Sequence, residues 1–383
     1  MNSRRKLLGT TLGVLSCLSL TACKHHGFKY PAGYHEFAYV TNGKSNSVSI
    51  IDTMTFHTLK TLAVGENPTG VAINPKKNEV YVVNTGSSNV TFINSENNEI
   101  VATVGVHSRP FFISVSEDGK RGYVANSGSA NVSVLDLDHR KVLANIRVGG
   151  APGLARVSPD GKTVVASNRA DGTISIIDAG KLVVRATVQV CDKPEDVVIL
   201  PDNSKVFVAC TGSSQVAAVD LKNDRLLTLL DVGKTPVQLA MKPDGGEIYV
   251  CNFDSGSISV IETTTNEIGQ TFLIGTKPAR AVVSADNTML YVSNFGSNAV
   301  SVYEIDIGKV LGSLPTGANP DSLALTGNQK FLLVANTLSG DLAVLRLERF
   351  PGASGISAQR DLVTMIPVGM SPNAIAIKAF TTN

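Results

Sequence analysis

The chain has 383 residues, a formal charge of +2, 43% hydrophobic and 17% charged side chains, which is the composition of a folded globular protein and excludes a disordered one. Length alone leaves room for two domains. The near-neutral balance supplies no global field to hold nucleic acid or acidic lipid, so any such binding needs a local basic patch.

The first element is a leader. Ser3-Arg4-Arg5-Lys6-Leu7-Leu8 is basic, and a moderately apolar run containing Gly9, Gly13 and several Thr or Ser follows it to Ala22. That run is too short and too polar for a membrane span and reads as a secretion signal over residues 1–22. Its loss removes Arg4, Arg5 and Lys6 and leaves the basic side chains one short of the 32 acidic ones. The paired arginines resemble the twin-arginine export pattern, which ordinary secretion signals also share. Leu20-Thr21-Ala22-Cys23 resembles the lipobox of bacterial lipoproteins. That resemblance implies cleavage before Cys23, lipidation of its thiol and amino group, and a tether over residues 23–36. Lys24 stands where Asp would signal inner-membrane retention, which favours the outer membrane, and the chain is expected to be lipid-anchored in the periplasm or at the outer membrane or cell surface.

From Phe37 onward the chain repeats itself. Asn42, Asn84, Asn126, Asn168, Cys210, Asn252, Asn294 and Asn336 follow one another at intervals of 42 residues. A repeat of that length built from short apolar runs is the mark of a β-propeller, each unit supplying one four-stranded blade. Because such units bury their faces only against neighbours, residues 37–383 are expected to form one closed domain. Each unit opens with a Pro-led inner strand such as Gly70-Val71-Ala72-Ile73 after Pro68. Proline sits there at the strand entry, where its missing N–H does no harm. A hairpin turn of the Pro159-Asp160-Gly161-Lys162 type follows, then the motif strand ending in Asn, a Gly/Ser/Asn turn, a third strand and an outer strand such as Ile100-Val101-Ala102-Thr103-Val104. The first motif strand has no inner strand before it, and the last inner strand, Asn373-Ala374-Ile375-Ala376-Ile377, has no motif strand after it. The expectation is an all-β, eight-bladed propeller whose C-terminal strand completes the N-terminal blade, with seven blades as the alternative. Gly and Pro between Leu347 and Asp361 mark an extended loop.

Tyr39-Val40-Thr41-Asn42, Tyr81-Val82-Val83-Asn84, Tyr123-Val124-Ala125-Asn126, Tyr249-Val250-Cys251-Asn252 and Tyr291-Val292-Ser293-Asn294 resemble the YVTN-type β-propeller repeat family. The resemblance spans about nine tenths of the chain and implies exported or surface proteins, some implicated in binding DNA or cell-surface partners. Residues 165–168 and 207–210 depart from the motif while keeping its spacing.

Residues that recur in every unit serve the scaffold, so function is sought where the copies differ. The fourth-to-first and second-to-third connections surround one mouth of the channel. They bring up Arg109, Phe111, Phe112, Arg156, Lys193, Glu195, Asp196, Gln238, Lys277, Arg280, Asn319 and Asp321, joined by Arg169, Asp171, Phe253 and Phe295. Such a rim can grip an acidic or extended partner through charge-assisted hydrogen bonds and stacking, or its charges can simply pair with one another. His57, His107 and His139 do not pair at ligand spacing, and no metal or cofactor is expected. Quinone-cofactor propellers stack their cofactor on Trp, and this chain has none. No Gly-x-Ser-x-Gly elbow or phosphate-cradling loop is present. Cys191 takes the slot of Gly65 and Cys210 an Asn slot, so a disulfide in an oxidising compartment and reduced structural thiols are both open, with Cys251 left over.

The expected function is a non-enzymatic, lipid-anchored binding or scaffold propeller, monomeric, that presents its loop face to an envelope protein or other macromolecule. The alternative is a lactonase- or lyase-like enzyme, or a cofactor carrier, using the channel mouth.

Overall fold

Period-2 alternation and turn chemistry make each repeat a four-stranded meander, and the computed structural model, which describes residues 30–347 and 361–382, places eight such sheets in it. Blade 2 shows the pattern, with strands Pro68–Ile73, Glu79–Asn84, Asn89–Asn94 and Glu99–Gly105 running antiparallel from the inside outward. Blades 3 to 8 repeat it, their inner strands being Pro110–Val115, Pro152–Val157, Pro194–Ile199, Pro236–Met241, Pro278–Val283 and Pro320–Leu325. The first turn of a blade is tied by its own side chains. In blade 3 the Ser116 hydroxyl donates to Asp118 Oδ1 (2.6 Å), the same oxygen accepts Lys120 N–H (3.0 Å), and Gly119 takes φ +69°.

Blade 1 closes the ring. Its sheet is Pro372–Thr381, Tyr34–Asn42, Ser47–Asp52 and His57–Ala63, so the C-terminal strand supplies the innermost position of the N-terminal blade. The blades number eight because this strand completes a first unit that otherwise lacks one; the seven-bladed alternative is excluded. The motif strand of this blade starts at Tyr34, so residues 34–36 belong to the sheet and not to a tether. Pairing explains the extension: Tyr34 aligns with Thr381, and buried Glu36 accepts hydrogen bonds from Thr53 Oγ1 (2.7 Å), Tyr34 O–H (2.7 Å) and Gly327 N–H (2.9 Å). The Gly/Pro-rich stretch after Leu347 and the cysteine at position 23 lie outside the described residues.

The core sits at the seams between blades. Motif and third strands are buried on both faces, and Tyr39, Tyr81, Tyr123 and Tyr249 are among the largest enclosed side chains. Val165 and Ile176 of blade 4, for example, pack with Val197, Val206 and Val208 of blade 5. Each fully buried side chain of this kind contributes roughly 1.5–3 kcal/mol. The buried Tyr81 hydroxyl keeps its bonds, to Asn74 Nδ2 (2.7 Å) and Glu79 Oε2 (3.0 Å).

Candidate binding face

The two sets of connections named from the sequence are hydrogen-bonded to each other on one face of the ring. Thr85 N–H donates to the Asn67 carbonyl (3.1 Å) and Gly86 N–H to that of Glu66 (2.9 Å), and the pattern returns at Ser127 with Arg109, Phe253 with Thr235 and Phe295 with Lys277. The recurring asparagines brace this face. Asn84 Nδ2 donates to Asn89 Oδ1 (2.7 Å) and Thr91 Oγ1 (2.9 Å), and Asn168 and Asn252 do the same with Thr173 and Ser175, Ser257 and Ser259. A glycine of the incoming loop lies against the asparagine. A Cβ at Gly275 would meet Asn294 Oδ1 at 2.2 Å, so a Cα–H points at an oxygen that has no other donor. In blade 5 the pair is replaced by a disulfide between Cys191 and Cys210, Cα atoms 5.8 Å apart. Cys251 is a free, fully buried thiol, pushed up to about 12 by desolvation.

The residue before every inner-strand proline has a left-handed backbone: Asn67, Arg109, Ala151, Lys193, Thr235, Lys277, Asn319 and Ser371 have φ between 47° and 55°. Asparagine tolerates that region, while other L-residues are held there at a cost. A register shift follows each of these prolines, for instance between Pro194 and Val197.

Part of the rim is paired within itself. The Arg156 guanidinium reaches Asp196 at 3.5 Å and lies 5.2 Å from the Phe112 ring centroid. Asp196 also accepts Leu239 N–H of the next blade (2.9 Å), and Gln238 Oε1 accepts Ala281 N–H of the one after (3.0 Å), so both side chains bind seams. Arg169 is ion-paired with Glu195 and sits 5.6 Å from the Phe111 centroid, filling space that a Cβ at Gly153 would take. Burial pulls its pKa down, and its Nε is enclosed without a hydrogen-bond partner among the described residues. Arg280 stands 3.9 Å from Asp321, whose carboxyl is pushed up by burial against the pull of that guanidinium.

Asn319 Nδ2 donates to the Phe295 carbonyl (3.2 Å) and Asp171 accepts Gly150 N–H (2.6 Å), so only part of the remaining rim is uncommitted. Arg109 and Lys193 are exposed, and their side chains make no hydrogen bond, ion pair or ring contact among the described residues. Lys277 Nζ lies 5.3 Å over Phe253, whose ring is 6.1 Å from that of Phe295. Sequence reasoning passed over Lys234, exposed in the loop before blade 6, and two apolar residues on the same face, Leu338 (74% exposed) and Met370 (62%). Lys234 was within reach from its place one residue before Thr235. The exposure of Leu338 and Met370 carries no sequence signal. Among the described residues no group of three or more His, Cys, Asp or Glu could hold a metal ion.

Residues 123–350 match the family described as YNCE-like beta-propeller, and residues 37–148 match that described as Lactonase, 7-bladed beta-propeller. No curated protein matches the chain significantly. Among solved structures it is similar to Kuenenia stuttgartiensis hydrazine synthase (22% identity, 73% of this chain and 95% of that one, TM-score 0.59). It is also similar to dihydro-heme d1 dehydrogenase NirN in complex with DHE (15% identity, 89% and 74%, TM-score 0.73). A third likeness is to a functionally unknown protein from Desulfotomaculum acetoxidans DSM 771 (16% identity, 89% and 98%, TM-score 0.61). At these identities the likenesses show the fold alone.

Proposed function

Because the chain belongs to the YNCE-like β-propeller family, we propose that it is a non-enzymatic, lipid-anchored platform of the cell envelope that presents its loop face to a macromolecular partner. The observation that carries this reading is the backbone of Arg109 and Lys193. Large residues at other left-handed positions of this protein are repaid by contacts. Phe56 packs on Phe331 (centroids 4.8 Å), Leu182 packs against the core, and Arg140 binds Glu79 (2.7 Å). Arg109 and Lys193 hold the same conformation, with their carbonyls bonded to Ser127 N–H (3.0 Å) and Thr211 N–H (3.1 Å), but their side chains make no hydrogen bond, ion pair or ring contact among the described residues, which leaves two cations on the mouth face for use outside the molecule. Export and anchoring are supported by the leader and by Cys23, and the bond between Cys191 and Cys210 suits an oxidising compartment. A rigid ring with loops that vary blade by blade binds without a large ordering cost.

Affinity capture from envelope extract tests this with the lipidated chain and an Arg109→Ala/Lys193→Ala variant. Loss of two charge-assisted contacts, each worth about 1.5–3 kcal/mol, should lower recovery of the partner by about tenfold or more. Equal recovery would take the rim out of consideration.

One observation favours a second reading, a lactone-opening enzyme at the channel mouth. Burial raises the Asp321 carboxyl above its ordinary value against the pull of Arg280, 3.9 Å away, and residues 37–148 match the lactonase family. Lactone hydrolysis abolished by Asp321→Asn would support it; no hydrolysis by the native chain would end it.

A further inference from the structure

We infer that the anchored end and the mouth lie on opposite faces of the ring, so that the mouth meets a partner arriving from the aqueous phase and not one embedded in the anchoring membrane. The inference rests on the lipid-anchored reading above. The motif strand of blade 1 runs from Tyr34 to Asn42, and its Asn42 end enters the mouth face, where Gly43 N–H donates to the Ser371 carbonyl (2.9 Å) and Lys44 N–H to that of Met370 (3.2 Å). Tyr34 therefore stands on the opposite face, beside the first turn of blade 8.

The chain leading into Tyr34 is pinned there. The Tyr30 ring stacks on Tyr34 with centroids 4.7 Å apart, and Asn328 Nδ2 donates to the Tyr30 hydroxyl. Tyr34 N–H bonds the Pro31 carbonyl (3.1 Å), and Thr382 N–H bonds that of Gly33 (2.9 Å). Gly33 has φ +72° and lies so close to Thr382 that a Cβ would meet its carbonyl oxygen at 2.3 Å, so this contact admits no other residue without movement.

Between the pinned Tyr30 and Cys23 only seven residue steps remain, a reach of at most about 25 Å. For the mouth to face the membrane, the tether would have to climb the seven-residue outer strand His57–Ala63, about 23 Å, after crossing two strand spacings outward, about 10 Å more. That path of about 33 Å exceeds the reach before any length is spent on the lipid surface. The mouth is thus kept from facing the anchoring membrane, and the Arg109 and Lys193 side chains lie on the face away from the anchored end.

The test uses the full lipidated chain in a Cys251→Ser background, reconstituted into phosphatidylethanolamine/phosphatidylglycerol vesicles with an acceptor dye on the lipid headgroups. A donor dye is attached at Lys120→Cys, in the exposed first turn of blade 3, or at Ser297→Cys, in the exposed mouth-side turn of blade 7. Energy transfer to the lipid should be several-fold stronger from position 120 than from position 297. Equal transfer, or stronger transfer from position 297, overturns the orientation while leaving anchoring intact. A Cys23→Ala chain that binds the vesicles as well as the native chain, or a native chain that does not bind, overturns the anchored reading and this inference with it.

Discussion

Cys191 is bonded to Cys210 at the seam where six other blades press a loop glycine against the side chain of a motif asparagine. The two cysteines replace the glycine and the asparagine together. The third-strand hydroxyl that such an asparagine binds, Ser175 or Ser259 elsewhere, is replaced in blade 5 by Ala217. A covalent link therefore stands in for a packing contact and a hydrogen-bond cluster.

Closing a loop over a separation of 19 residues is worth about 3 kcal/mol. Cys191→Ser should lower stability by about that much, and reductant should do the same to the native chain. The triple change Cys191→Gly, Cys210→Asn, Ala217→Ser restores the repeat's own solution and should recover part of the loss. Urea midpoints with and without reductant check this, and the triple variant should show no response to reductant.

Gly275→Ala should destabilise by about 1–3 kcal/mol, because its Cβ would lie 2.2 Å from Asn294 Oδ1 in an enclosed seam. Gly105→Ala, where a Cβ meets nothing within 4 Å, should stabilise by about 0.4–1 kcal/mol through the unfolded state. Thermal midpoints of the two variants should move in opposite directions.

Arg109→Asn and Lys193→Asn should each raise stability by several tenths of a kcal/mol to about 1 kcal/mol, since asparagine accepts the left-handed backbone at lower cost. The same changes should lower recovery of the partner. A fall in urea midpoint, or a stable variant with undiminished capture, would separate these residues from the role given to them.

Acid should weaken the fold through the first turns of the blades. Asp118, Asp202 and Asp286 are held below the ordinary carboxylate range, chiefly by the hydroxyls of Ser116, Ser204 and Ser284. A depressed folded pKa means that the unfolded chain binds protons first as pH falls. Their contribution is therefore complete above the ordinary Asp value of about 3.9 and is lost below it, toward the folded values. Asp118→Asn/Asp286→Asn should flatten the fall in thermal midpoint between neutral pH and that range, and an unchanged slope would contradict the assignment.

Blade number, strand order and the seal by the C-terminal strand could all be read from the chain, because a repeat is a one-dimensional signal. Each 42-residue unit carries its own turns and its own alternation, and counting the units shows which strand is missing. The mouth-facing positions followed from the same phase. What those side chains do there did not, because it depends on the rotation and spacing with which one blade meets the next. Asp196 spends its carboxylate on Leu239 N–H and Arg156, and Gln238 on Ala281 N–H, whereas Arg109 and Lys193 on the same rim are left to solvent. Only the tertiary structure separates the two groups. Backbone pairing within a blade is local and periodic, while partners across a seam are chosen by distances that no single repeat encodes.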